Sequence, residues 1–184
     1  MARIDELAEQ YERHIAAPWQ RNLAGAQRII FVVYPKEDER RMQTKLKEFE
    51  HRTKGAGHGW REVDLTNVFA EWMAAEEYRE EYFNHPEDLA LKFDSEFAEA
   101  CAARLQAALT AEDVNDATVL AVHGVAGLYG FTRLHFVLQK IEGLIRGRLV
   151  VFFPGSHDQN AYRLLDARDG WNYLATPITG LAAK

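Results

Sequence analysis

One cysteine, Cys101, stands in 184 residues. A single thiol excludes an intrachain disulfide framework and any cysteine-based zinc site. Its setting, EFAEACAARLQAAL, is alanine-rich and helical, with no His at neighbouring helical spacing. A small buried hydrophobe is expected there rather than a nucleophile. Prolines number only five, and no internal repeat or low-complexity run breaks the chain. With no linker long enough to divide it, one domain over residues 1–184 is expected, large enough to bury roughly two-thirds of its unfolded surface. No apolar run approaches the roughly 20 residues of a membrane span, and no signal-peptide core opens the chain. The expectation is a cytoplasmic protein without membrane contact. An excess of basic charge is missing too. A net charge of −6 and a pI near 5.7 argue against direct nucleic-acid binding. Arg133, Lys140, Arg146, Arg148 and Arg163 do gather in the C-terminal half, but apolar positions intersperse them and a solvated face is the expected reading.

What is present reads as α/β. Ile4, Leu7, Tyr11 and Ile15 recur at helical spacing, and Pro18 stops that helix. Arg28–Val33 is a first strand. Pro35 suits the first turn of a helix over Lys36 to about Lys54, acidic at its start and basic afterwards, with Met42, Leu46 and Phe49 facing the core. Glu37 and Arg40 have the spacing of an exposed ion pair. Trp60–Leu65 is a second strand, and Thr66 or Asn67 can cap the next helix. His85-Pro86 marks a bend before a long helix carrying Leu89, Phe93, Phe97, Leu105 and Leu109, so two helices separate the second and third strands.

From Thr118 to Asp158 the pattern is strand, glycine-rich turn, amphipathic helix, strand. Gly124, Gly127 and Gly130 interrupt the chain before Leu134, Val137, Leu138 and Ile141 resume at helical spacing. Leu149–Phe153 is a second apolar run, stopped by Pro154-Gly155. Two strands apolar throughout and joined by a helix make a βαβ unit with both sheet faces covered. The tail, Tyr162–Ile178, adds a short helix and a final strand around Tyr173–Thr176. The fold expected is a three-layer α/β sandwich around a mostly parallel sheet of about five strands, Rossmann-like in plan. Ligands in such folds gather beyond the carboxyl ends of the strands, which puts the Gly124 and Pro154 turns side by side at the functional edge.

No catalytic constellation falls out of the motifs. A P-loop needs G-x-x-x-x-G-K-[ST], because glycine amides cradle phosphate and lysine reaches its oxygens. Here Phe131 follows Gly130 and Val125 stands five residues before it. G-x-x-G-x-x-G is not the dinucleotide fingerprint either. Gly124 and Gly127 therefore read as a tight turn that needs positive φ and close backbone approach. A helix N-terminus there could still hold an anion. Ser156, His157 and Asp158 are consecutive and cannot relay a proton among themselves. Asp64, His123 and either His157 or Asp158 could converge on a metal if their strands were neighbours, but no ligand spacing supports this. No metal or cofactor is expected. His123 reads as a core histidine bonded to a carbonyl, and Asp64 as a helix cap. Trp19 and Trp171 lie in Pro- and Gly-flanked loops, where aromatics either anchor interfaces or pack on the sheet edge.

The stretches GVAGLYGFTRLHFVLQKI and RLVVFFPGSHDQNAYRLL resemble the C-terminal half of the BrxB family of bacteriophage-exclusion (BREX) systems. RIIFVVYPKEDERRMQTKL is similar to that family's first strand, Tyr-Pro turn and following helix. The resemblance runs from about Ile4 to Ile178. Its most specific parts are the Gly-x-x-Gly-x-Tyr turn with Arg133 downstream and the Phe-Phe-Pro-Gly turn. Two departures are visible: Gly130 follows Tyr129 in place of a proline, and the closing segment WNYLATPI has one aromatic fewer.

The resemblance implies a non-enzymatic component of anti-phage defence working by protein–protein contact. BREX systems include a phosphatase-like protein (PglZ), an adenine methyltransferase and a large ATPase, and the PglZ-like protein is the partner it implies. Tyr34, Tyr129, Arg133 and His157 would line the docking crevice, with Gly124, Gly127, Pro154 and Gly155 as turn residues. The competing reading is a nucleotide- or metal-binding enzyme or sensor using the crevice near Gly124 and Pro154.

Overall fold

The computed structural model describes residues 3–168 and 170–180. Strand β1 (Ile29–Tyr34) is IIFVVY, buried at every position. A β-branched and aromatic run with no polar face can be satisfied only in the middle of a covered sheet. Its alternate residues divide between two cores. Ile29, Phe31 and Val33 join one, and Ile30, Val32 and Tyr34 the other. On the second side lie α1 (Arg3–Ala16) and α2 (Glu39–Gly55), whose Ile4, Leu7, Tyr11, Met42 and Phe49 are buried. A buried bridge joins them: Tyr11 Oη lies 2.6 Å from Thr53 Oγ1, which itself donates to the Phe49 carbonyl.

Strand β2 (Gly59–Asp64) lies at the sheet edge and buries only Val63. Four helices follow it before the next strand: α3 (Val68–Ala75), α4 (Arg79–Asn84), α5 (Pro86–Ala90) and α6 (Ala98–Leu109). Two had been expected. The expected long helix is broken because Phe93–Phe97 winds as a π-helical turn, with the Phe97 N–H bonding the Lys92 carbonyl. That extra residue per turn rotates Phe97 into the first core. Cys101 is fully buried on α6, and burial pushes its thiol up to about 12.

Strand β3 (Thr118–His123), α7 (Leu134–Ile141) and β4 (Arg148–Asp158) complete the βαβ unit, with β3 and β4 parallel. β4 does not stop at Pro154-Gly155. Pro154 pairs with Tyr34, the last residue of β1, and its carbonyl accepts the Leu165 N–H. The strand then runs on to Asp158 and turns back through Gln159 and Asn160, both at positive φ, into β5 (Ala161–Leu164) and β6 (Trp171–Asn172). Gly155 permits this, because a Cβ there would fall 2.0 Å from the Arg163 carbonyl oxygen. The chain returns as β7 (Thr176–Ile178), parallel to β1. No helix forms among the described residues of the tail.

The α/β expectation holds. The sheet, however, has seven strands instead of about five and is mixed: β2-β3-β4-β1-β7 pair in parallel, and β5 and β6 are antiparallel additions to the end of β4. Among the described residues no helix is long and apolar enough to cross a membrane.

Candidate functional site

Two turns meet at the carboxyl ends of β2 and β3. After β3, Gly124 sits at φ +72° and opens a 3-10 turn, Val125–Leu128. Its Cβ-free face lies against the turn that ends β2: an added Cβ would meet Thr66 Oγ1 at 2.4 Å and Asp64 Oδ1 at 2.5 Å. Gly127 is crowded in the same way by the Leu65 carbonyl, at 2.7 Å. The two turns are stitched by the Leu65 N–H donating to the His123 carbonyl. Asp64 Oδ1 accepts both the N–H and the hydroxyl of Thr66, at 2.8 and 2.6 Å. Partial burial pushes the Asp64 carboxyl up, but those Thr66 bonds outweigh it and hold it below the usual range.

His123 is nearly buried and lies between two carboxylates of β2, with Nδ1 3.6 Å from Asp64 and Nε2 3.7 Å from Glu62. Among the described residues its Nδ1 has no backbone carbonyl partner, contrary to the expectation of a core histidine so bonded. The parallel register puts His123 opposite Asp64, and that register is not readable from either strand alone. Of the residues considered as metal ligands, Asp64, His123 and either His157 or Asp158, the structure unites Asp64 and His123, whereas His157 lines a cavity beside Tyr34. Among the described residues no group of three or more His, Cys, Asp or Glu side chains could hold a metal ion.

Two open cavities flank the segment that follows β5. The first, about 380 Å³, is walled by Tyr34, Lys36, Glu37, Ser156, His157 and Asp166. Tyr34 is 1% exposed and donates to Glu39 at 2.6 Å, and its phenol is held well above its ordinary range by burial and by Glu39. It is a wall rather than an anchor. Lys36 pairs with Asp166, and the Asp38–Arg41 pair at 3.4 Å takes the place of the Glu37–Arg40 pair that spacing suggests. The second cavity, about 360 Å³, is walled by Tyr129, Phe131, Arg133, Leu164, Arg168 and Trp171. Tyr129 is 45% exposed, and Arg133 is exposed at the residue before α7. Thr132 ties this loop to the π-helical turn by donating to Asp94 at 2.8 Å. Phe131 stacks on Phe69 with centroids 3.8 Å apart. Trp171 packs into the core against Phe31, Phe153 and Tyr162, and Trp19 stacks on His58.

The four residues expected in one crevice are thus divided, Tyr34 and His157 to the first cavity and Tyr129 and Arg133 to the second. Residues 164–167 run between them. Leu165, at φ +51°, holds that segment down through its bond to Pro154. A non-glycine residue in the left-handed region is sustained only by such surrounding contacts. Sequence patterning had no means to place this segment, because Pro154-Gly155 reads as a stop.

A mixed α/β sheet with helices against both faces and glycine-built turns at its strand ends defines the class of the protein. The family model described as BREX protein BrxB matches residues 61–178, more than half of the chain. The chain belongs to the BrxB family, and so to the components of BREX phage defence. The match begins at Arg61, so the resemblance read in β1 and α2 lies outside the matched range. No curated protein and no solved structure matches the chain.

Proposed function

We propose that this protein is a protein–protein adaptor of its BREX system, that its partner is the PglZ-like protein, and that it works without catalysis of its own. The observation that carries the reading is Tyr129. A tyrosine 45% exposed on a loop fixed by Gly124 and Thr132 has been ordered without being buried. Beside it stand Arg133 and Arg168 around an open cavity. Tyr and Arg are the side chains that most often anchor interfaces, and a rigid loop lowers the entropy cost of docking. His157 and Ser156 border the same edge from the first cavity.

The test is the Tyr129→Ala/Arg133→Ala double variant in a complete BREX system. Phage restriction and co-purification of the PglZ-like protein should fall together, while the thermal transition stays within about 2 °C of wild type, as surface substitutions allow. Full co-purification with lost restriction would replace the adaptor reading by ligand sensing or catalysis at this edge. Full restriction would show that the partner docks elsewhere. The first alternative face is the helical one, where Tyr78, Phe83 and Leu91 are 58%, 64% and 82% exposed.

A further inference from the structure

The opposite end of the sheet, where the strands begin, carries a concentration of positive charge in a protein whose net charge is −6. Arg28 immediately precedes β1 and Arg148 opens β4, and the register that pairs Ile29 with Leu149 brings them side by side. Arg21 and Arg146 come from the loops beneath. All four, with Trp19 and His58, line one cavity of about 750 Å³, and Asp116 is the one carboxylate on its wall among the described residues.

Three of these guanidinium groups, those of Arg28, Arg146 and Arg148, are held by backbone carbonyls rather than by acids. Arg28 donates to the carbonyls of Leu23, Arg21 and Arg146. Arg146 donates to Val114, and Arg148 to Gly147 and Gln20 at 3.0 and 3.2 Å. Arg148 also lies over the Trp19 ring, 4.8 Å from its centroid. Among the described residues none of the four has a carboxylate within salt-bridge distance, although Arg148 is only 7% exposed. Withdrawing a guanidinium from water without an anion is costly, so such an arrangement calls for a counter-charge. Burial first, and then the charge of Arg28, lower the pKa of Arg148, and burial with the charge of Arg148 lowers that of His14 on the adjoining wall.

We propose that this cavity is an anion site for a small phosphorylated ligand. The planar forks of Arg28 and Arg148 keep donors beyond those used on carbonyls, and two such forks suit the oxygens of a phosphate or diphosphate. The volume is that of ordinary small-molecule sites. A duplex would meet an acidic protein around this basic recess, which favours the small ligand over nucleic acid. The site lies at the strand-beginning end and is independent of the Tyr129 edge.

The experiment is titration calorimetry of the full chain with inorganic pyrophosphate and with ADP, at constant ionic strength, beside a duplex oligonucleotide. Saturable one-to-one pyrophosphate binding is expected, together with a rise in Tm that equal ionic strength of chloride does not reproduce. Arg148→Gln should weaken binding at least tenfold. Because Arg148 also holds the Gln20 and Gly147 carbonyls, Arg21→Gln provides the second variant. Its side chain is exposed, and it should weaken binding several-fold with Tm unchanged. Absence of saturable pyrophosphate and ADP binding overturns the proposal. Binding untouched by Arg21→Gln and Arg148→Gln but lost in Arg133→Ala overturns it as well, since the anion would then sit at the other edge. Binding of the duplex alone would replace the small ligand by nucleic acid.

Discussion

Gly124→Ala separates a structural turn from a ligand loop. Two costs add at this position. The left-handed backbone, at φ +72°, penalises any L side chain by about 1–2 kcal/mol. The new methyl would also press on Thr66 Oγ1, Asp64 Oδ1 and the Thr66 nitrogen at 2.4–2.5 Å, and overpacking of that kind costs about 1–3 kcal/mol. The expected loss is about 3 kcal/mol, which at this chain length lowers Tm by about 6–12 °C. Gly130→Ala is the internal control. Its φ is +80°, yet nothing lies within 4 Å of the Cβ position, so only the backbone cost of about 1–2 kcal/mol applies. Urea unfolding of both variants, with equal m-values verified, measures the difference directly. Equal losses in the two would refute the packing part of the reasoning. A Gly124→Ala protein of unchanged stability that has lost nucleotide binding would refute the structural reading of the turn altogether.

Tyr11→Phe removes one donor from the buried bridge between α1 and α2 while Thr53 keeps its bond to Phe49, so a loss of about 0.5–1.5 kcal/mol is expected in urea unfolding. Stability should fall on the acid side. The Asp64 and Glu48 carboxyls are held below their ordinary values, Glu48 chiefly by its bonds to Arg52. Their contribution is therefore present above the unfolded carboxylate pKa near 4 and is lost as pH drops through the lower folded values. Thr66→Val should flatten that acid limb in pH-dependent urea melts, and an unchanged slope would remove Asp64 from the explanation. Cys101, its thiol raised by burial to about 12, should react with an aromatic disulfide reagent at pH 8 only as fast as the protein opens, becoming rapid in denaturant.

The strands and the core-facing helix positions were legible wherever burial acts on both faces. IIFVVY and RLVVFF admit no other placement, and Leu134, Val137, Leu138 and Ile141 face the core as their spacing requires. Elements held by pairing rather than by pattern were not. The antiparallel strands Ala161–Leu164 and Trp171–Asn172 exist because Gly155 lets one backbone approach another, and Pro-Gly looks the same in a turn. The π-helical turn at Phe93–Phe97 leaves the apolar spacing almost helical. The division of Tyr34 from Tyr129 follows from a segment anchored by the Leu165 bond to Pro154 and the Lys36–Asp166 pair, neither of which pattern reveals. The arginine recess was hidden because Arg28 and Arg148 meet only through the parallel register of β1 with β4, and Arg21 and Arg146 join them from loops. One signal was available: an arginine directly before each of the apolar runs Ile29–Tyr34 and Leu149–Phe153.

The most direct measurement is hydrogen–deuterium exchange of the full chain with and without the PglZ-like protein. The adaptor reading predicts slowed exchange in residues 129–133 and 164–168, with the Tyr78–Leu91 helices unchanged. Protection confined to Tyr78–Leu91 would contradict the Tyr129 docking face, and no protection at a saturating concentration of the partner would contradict the adaptor reading itself.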